Sequence, residues 1–284
     1  LIVGVSETDL PLPGSFTPSD AEMAQAIDNL QAHQPARIGI DFLRSQAEGE
    51  GNEAQPKSLK DPNVMVVTRL SDPDSDNTVL PPPNMMFEQL SFSNVVEDSD
   101  LRVRRSLMLD FLDTAVVESD RGENLGGNIG NALDTSPTEQ PIFSFGTEAA
   151  INYLEKYKNI FPEDGDILQL GSVRFEPITP SFGGYQSVDA GGYQIFLRYR
   201  SQNNIAAKLS FTDVLNNKFE PALVKDKIVL IGSTAEVSKD LFVTPFVAGG
   251  TPQKMYGVEV HAPAASQILS AVIEGETLPW PWPD

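Results

Sequence analysis

Short apolar runs alternate along the chain with stretches in which apolar residues recur at helical spacing. Leu1-Ile2-Val3-Gly4-Val5 reads as a first strand. Thr17-Pro18-Ser19-Asp20 supplies N-cap chemistry, and Met23, Ile27 and Leu30 follow three and four residues apart, so a helix is expected over about 20–32. Pro35 ends it, and Ala36–Phe42 reads as a second strand. Strand, helix, strand at this spacing is the pattern of a parallel crossover. Val64–Thr68 is a third buried strand.

Further on, Phe92–Val96, a turn over Glu97–Asp100, and Leu101–Leu112 predict a hairpin. In the second arm Leu101, Val103, Arg105, Leu107, Leu109 and Phe111 alternate with more polar positions, which suits a sheet covered on one face. A helix opens at Ser144 or Thr147 and runs to about Tyr157. Ile167–Phe175 reads as a strand or hairpin arm, Tyr193–Tyr199 as a strand and Ser210–Asn216 as a short helix. Ile228–Ile231 is another buried strand, closed by Gly232-Ser233-Thr234. A loop holding Asp240, Thr244 and Pro245 is expected next, then a last helix over about 262–273, ended by Gly275. The fold class is therefore α/β: a single mixed, largely parallel central sheet flanked by helices, with long irregular insertions. Residues 44–62 and 71–84 are such insertions, and 118–140, poor in apolar residues, is expected to be a flexible one. No clean linker divides the chain, so one domain over 1–284 is the economical reading.

Composition narrows the classes. A hydrophobic content of 40% over 284 residues excludes general disorder and supports a large core. No apolar run approaches the roughly 18 residues of a membrane span. The chain opens inside a strand without an initiator Met, so an excised fragment is expected. The net charge of −20 disfavours nucleic acid and anionic lipid as partners of this segment. Residues 1–140 carry 24 acidic against 9 basic side chains, and 141–284 carry 16 against 11. Cysteine is absent, which excludes disulfides, thiolate catalysis and zinc–sulfur sites. With only His33 and His261, no multi-histidine metal site is expected, and no cofactor is read.

Candidate chemistry gathers at the strand ends. Ser233, Asp240 and His261 are the residue types of a hydrolase triad, but Gly232-Ser233-Thr234-Ala235-Glu236 lacks the Gly-x-Ser-x-Gly elbow. Binding is the better reading, because parallel sheets place ligands at the carboxyl ends of their strands. Asp41, Ser233, Asp240 and His261 are the candidate ligand-binding residues, with the Gly232–Thr234 turn and the start of the last helix as sources of N–H groups. The structural alternative has Asp41 and Asp240 fixing loops by Asx hydrogen bonds and His261 bracing the last helix. Arg104 and Arg105 point to opposite faces of a strand, so one faces inward and needs a carboxylate, Asp98 or Asp100 nearby or Asp41 at long range. Asp72-Pro73-Asp74-Ser75-Asp76 alternates carboxylates but lacks the glycine and closing glutamate of a calcium loop, so a solvated loop is expected.

Three segments resemble, in order and spacing, the CHASE2 extracytoplasmic sensor domain of bacterial, often cyanobacterial, receptors. They are Ile38-Gly39-Ile40-Asp41-Phe42; Asn94 with Asp98-Ser99-Asp100-Leu101-Arg102-Val103-Arg104-Arg105; and Lys227–Ser233 through Asp240, Thr244-Pro245 and Gly257-Val258-Glu259-Val260-His261-Ala262. The family's usual glycine after the acidic residue is replaced here, with Leu101 nearby, and Pro263 stands where Asn is usual. The resemblance implies a periplasmic or extracellular input module that binds a small-molecule signal. It also implies membrane segments on both sides, a cytoplasmic cyclase, kinase or diguanylate cyclase as output, and a homodimer. Residues 276–284, with Trp280 and Trp282 among prolines, suit an exit toward a bilayer, or else a tail packed on the domain. A periplasmic solute-binding protein is the first rival reading, and a serine hydrolase using Ser233, His261 and Asp240 the second.

Overall fold

The computed structural model describes residues 1–10, 16–45, 54–71, 77–82, 85–113, 139–200 and 205–279. Its frame is a six-stranded, all-parallel sheet. β1 (Ile2–Val5), β2 (Arg37–Asp41), β3 (Val64–Thr68), β4 (Leu90–Phe92), β11 (Lys208–Ser210) and β12 (Ile228–Ser233) lie in the order β11-β1-β12-β2-β3-β4. The late strand β12 is inserted between β1 and β2, so residues 191 positions apart become neighbours: Gly232 pairs with Asp41.

Strand alternation distributes the side chains to two faces. Val3 and Val5, Ile38 and Ile40, and Val229 and Ile231 turn to one side, against Met23, Ile27 and Leu30 of α1 (Asp20–Gln31) and Phe211 and Val214 of α4 (Phe211–Leu215). Ile2, Met65, Val67 and Leu230 turn to the other. There they meet Phe145 and Ala149 of α3 (Phe145–Lys158) and Val258 and Ala262 of α5 (Gly257–Glu274). Because both faces are covered, the strands read as continuous apolar runs. α2 (Ala54–Leu59) lies between β2 and β3 in the chain. Ser19 opens α1 with a capping box: its Oγ accepts from Glu22 N at 3.3 Å, and Glu22 Oε2 accepts from Ser19 N at 2.9 Å.

A second sheet departs from the expected hairpin. β5 (Arg105–Asp113) does not pair with β4; it lies antiparallel between β6 (Glu139–Phe143) and β10 (Tyr193–Phe196). Nor is only one face covered. Leu107, Leu112 and Ile142 join the core over α1, whereas Met108 and Ile195 join a separate core with α3 and α5. The turn before β5 is present, with Leu101 N bonded to Asp98 O at 2.8 Å. Leu101 takes a left-handed φ of 62° there, a conformation that favours glycine, and is 64% exposed. The segment 167–175 is part of a small three-stranded sheet of β7 (Pro162–Glu163), β8 (Gln169–Leu170) and β9 (Val173–Arg174). The expected loop after β12 is a hairpin, β13 (Leu241–Ala248) and β14 (Thr251–Tyr256), turned at Gly249 and Gly250 with φ of 58° and 83°. The last helix begins at Gly257, five residues earlier than expected, and holds Pro263 and His261 in its interior. Glu139 and Gln140, expected in the flexible insertion, belong to β6. The Asp72, Asp74 and Asp76 run, residues 118–138 of the expected insertion and the tryptophans of the tail lie outside the described residues.

Candidate functional site

β2 and β12 end side by side, so Asp41 and Ser233 reach the carboxyl edge of the sheet together. Gly232 lets α5 press onto this edge. A Cβ there would lie 2.5 Å from Val258 Cβ and 3.2 Å from Asp41 Cβ. α5 is held from its other side by α3, where a Cβ on Gly146 would lie 2.4 Å from the His261 carbonyl oxygen. The His261 ring is thereby fixed between Phe145, edge-on at 5.4 Å, and Asp41, whose Oδ2 lies 4.0 Å from Nε2. Asp240 arrives from the loop before β13 and sits at the first turn of α5. Its carbonyl accepts from Gly257 N at 3.1 Å, and a Cβ on Gly257 would lie 2.2 Å from its Oδ2. Asp41, Asp240 and His261 therefore form one cluster, assembled from three regions of the chain.

The cluster is buried and incompletely satisfied. The Asp41 and His261 side chains are 8% and 7% exposed. Among the described residues Asp41 Oδ2 has no hydrogen-bond partner, and the nearest acid to His261 Nε2 is Asp41 at 4.0 Å. Burial, and then the charge of Asp240, push the Asp41 carboxyl well above the usual carboxylate range. Burial also raises Asp240, against the pull of the Gly257 N–H and Arg69. Burial lowers the His261 imidazole to about 4, so at neutral pH it is uncharged. It braces α5 from within its second turn and does not cap it.

The other expected donors are engaged elsewhere. Thr234 N donates to Val5 O at 2.8 Å, and Ala235 N donates to Ser233 Oγ at 3.2 Å. At the start of α5, Tyr256 N donates to Glu259 Oε2 at 3.0 Å, and the Asp240 carboxylate occupies the place an outside anion would take. The anion site expected at this helix start is thus filled by the protein's own acids. Among the described residues no hydrogen bond joins Ser233 to His261, so the nucleophile–base contact of a hydrolase is not formed. No group of three His, Cys, Asp or Glu side chains among the described residues is placed to hold a metal ion.

Arg104 and Arg105 both turn to Asp98. Arg105 Nε donates to Asp98 Oδ1 at 2.8 Å and Arg104 Nη1 to Oδ2 at 2.6 Å. Arg105 is the buried one, with its side chain 2% exposed against 33% for Arg104. Arg105 Nη1 also donates to Gln194 Oε1 and Asp189 O. Tyr185 OH adds a further bond to Asp98 Oδ2 at 2.6 Å. This third donor, 87 residues away, carries no signal in the local sequence. The β13–β14 hairpin did carry one, the Gly-Gly pair between apolar runs. The turn that holds Asp98 contacts that hairpin, since Val103 N donates to Val243 O at 2.9 Å.

A groove of about 340 Å³ lies away from this edge, between the start of β1 and β12 and the outer face of α5. Ile205, Ile228, Leu269, Ile273 and Tyr153 contribute to its lining.

Fold and site together define an open parallel α/β domain with a buried acid–imidazole cluster at the carboxyl edge of its sheet. The CHASE2 domain model matches residues 1–284, and the chain belongs to that family of extracytoplasmic sensor domains. Comparison with curated proteins and with solved structures returns no match.

Proposed function

We propose that this domain is the signal-input module of a transmembrane receptor, reading a small molecule outside the membrane and passing the state to a cytoplasmic cyclase, kinase or diguanylate cyclase. The ligand site is the carboxyl edge of the sheet, at Asp41, Asp240 and His261, with Ser233 supporting the loop beneath. The observation that carries the site is the buried, unpartnered Asp41 Oδ2 beside a neutral imidazole. Unsatisfied buried polar groups are costly, and a site built to receive a ligand is one place where that cost is kept. A signal acts only by binding two conformations unequally. Here α5 carries His261, so occupancy of the cluster bears directly on that helix.

In-frame reporter fusions in the native gene test the location. Alkaline phosphatase joined after residue 284 should be active and β-galactosidase inactive, because only the first folds outside the cytoplasm. The reverse pattern would remove the sensor reading altogether.

A further inference from the structure

The cluster at the carboxyl edge has the wrong complement for an anion and the wrong number of donors for a metal. Asp41 and Asp240 bring two carboxylates, Arg69 brings one nearby positive charge, and His261 is neutral, so one negative charge is left over. Among the described residues Asp41 Oδ2 is buried without a hydrogen-bond partner, and His261 Nε2 stands 4.0 Å from it. Two hydrogen bonds of roughly 2.8 Å from a single tetrahedral nitrogen span about 4.6 Å between their acceptors, so the pair need part by only about half an ångström to receive one. We propose, resting on the reading of this edge as the ligand site, that it binds the protonated head of a small primary amine. One N–H goes to Asp41 Oδ2, another to His261 Nε2, and Asp240 supplies the field. Burial and the charge of Asp240 raise the Asp41 carboxyl, which favours a proton there when the site is empty. Below the Asp41 pKa, binding therefore releases a proton and affinity falls roughly tenfold for each further pH unit. His261 stays neutral down to about pH 4 and remains an acceptor across that range.

The test is a titration of the folded domain with methylammonium chloride, read from the His261 ring resonances and from calorimetry in buffers of different ionisation heat. Methylammonium should shift the His261 signals, and as pH is lowered its binding should weaken and release a proton. Tetramethylammonium, which has the charge but no N–H, and sodium should not. Asp41→Asn should abolish the shift, and if that variant does not fold, the two control cations on the unaltered protein decide alone. Equal responses to methylammonium, tetramethylammonium and sodium would overturn the proposal. A response to neutral acetamide but not to methylammonium would overturn the amine while keeping the site. No response of His261 to any of the four would overturn both.

Discussion

Asp98 is held by three donors and is itself nearly inaccessible. Burial alone would raise its carboxyl, but the bonds from Tyr185, Arg104 and Arg105 outweigh that and hold it below the usual range. Its ionised form is thus part of the folded structure. Asp98→Asn keeps the shape and removes the charge, leaving the Arg105 guanidinium buried without its counter-ion. Loss of one partner from a buried pair costs about 3–5 kcal/mol, so urea denaturation should show a loss of that order. Asp100→Asn gives the contrast. Asp100 also bonds Arg104, at 2.7 and 2.8 Å, but it is 41% exposed, and solvent screens such pairs. A much smaller loss is expected, and equal losses would show that the buried pair has no special weight. The need for a carboxylate near Arg105 was legible in the sequence, because strand alternation forces one of two adjacent arginines inward. That Arg104 would share the same Asp98 was not, because it depends on how the turn at Leu101 folds back in a left-handed conformation.

At the scale of elements, four of the six parallel strands were legible, whereas of the antiparallel sheet β5 and β10 were legible as strands but their pairing was not. β1, β2, β3 and β12 are covered on both faces, so each is a continuous apolar run that stands out locally. β5 and β10 take their character from partners at distant positions, and β6 lies beside a long weakly apolar stretch, so their pairing is not written locally. The candidate site followed the same division. Asp41 and His261 each stood at a recognisable strand end or helix, but their approach depends on β12 entering between β1 and β2 and on α3 holding α5. α3 carries a further buried acid. Glu148 lies in its first turn, where burial lifts the carboxyl to about 7 against the pull of Arg37 and of Asn152, whose Nδ2 donates to Oε1 at 2.6 Å. Since the folded value is raised, the native state holds its proton more tightly than the unfolded chain. Stability from this group is therefore present below about pH 4.5 and lost as pH rises toward 7 and beyond. Glu148→Gln removes the titration, so its stability relative to the parent should improve by roughly 3 kcal/mol between pH 4 and pH 8. Parallel thermal melts across that range check it, and a pH-independent difference would mean that Glu148 ionises freely.

The whole molecule carries 40 acidic and 20 basic side chains. A net charge of −20 repels itself in the compact state and favours expansion. At 0.01 M ionic strength the screening length is about 30 Å, so charges across the domain feel one another; at 0.15 M it is about 8 Å and only neighbours do. The buried pairs, Arg105 with Asp98 and Arg44 with Asp20, are little affected by that change. The exposed pairs, such as Arg174 with Glu176, weaken with salt, but among the described residues they are few against the excess of acids. Melting temperature should therefore rise by a few degrees between 0.01 M and 0.15 M sodium chloride, about 1 kcal/mol for a chain of this size. A fall would show that specific surface pairs outweigh general repulsion. The identity of the cation separates this effect from binding at the site. Screening is blind to N–H donors, so tetramethylammonium chloride should raise the melting temperature as much as sodium chloride does. Any additional rise with methylammonium at the same ionic strength belongs to Asp41 and His261, and should vanish in Asp41→Asn while the common rise remains.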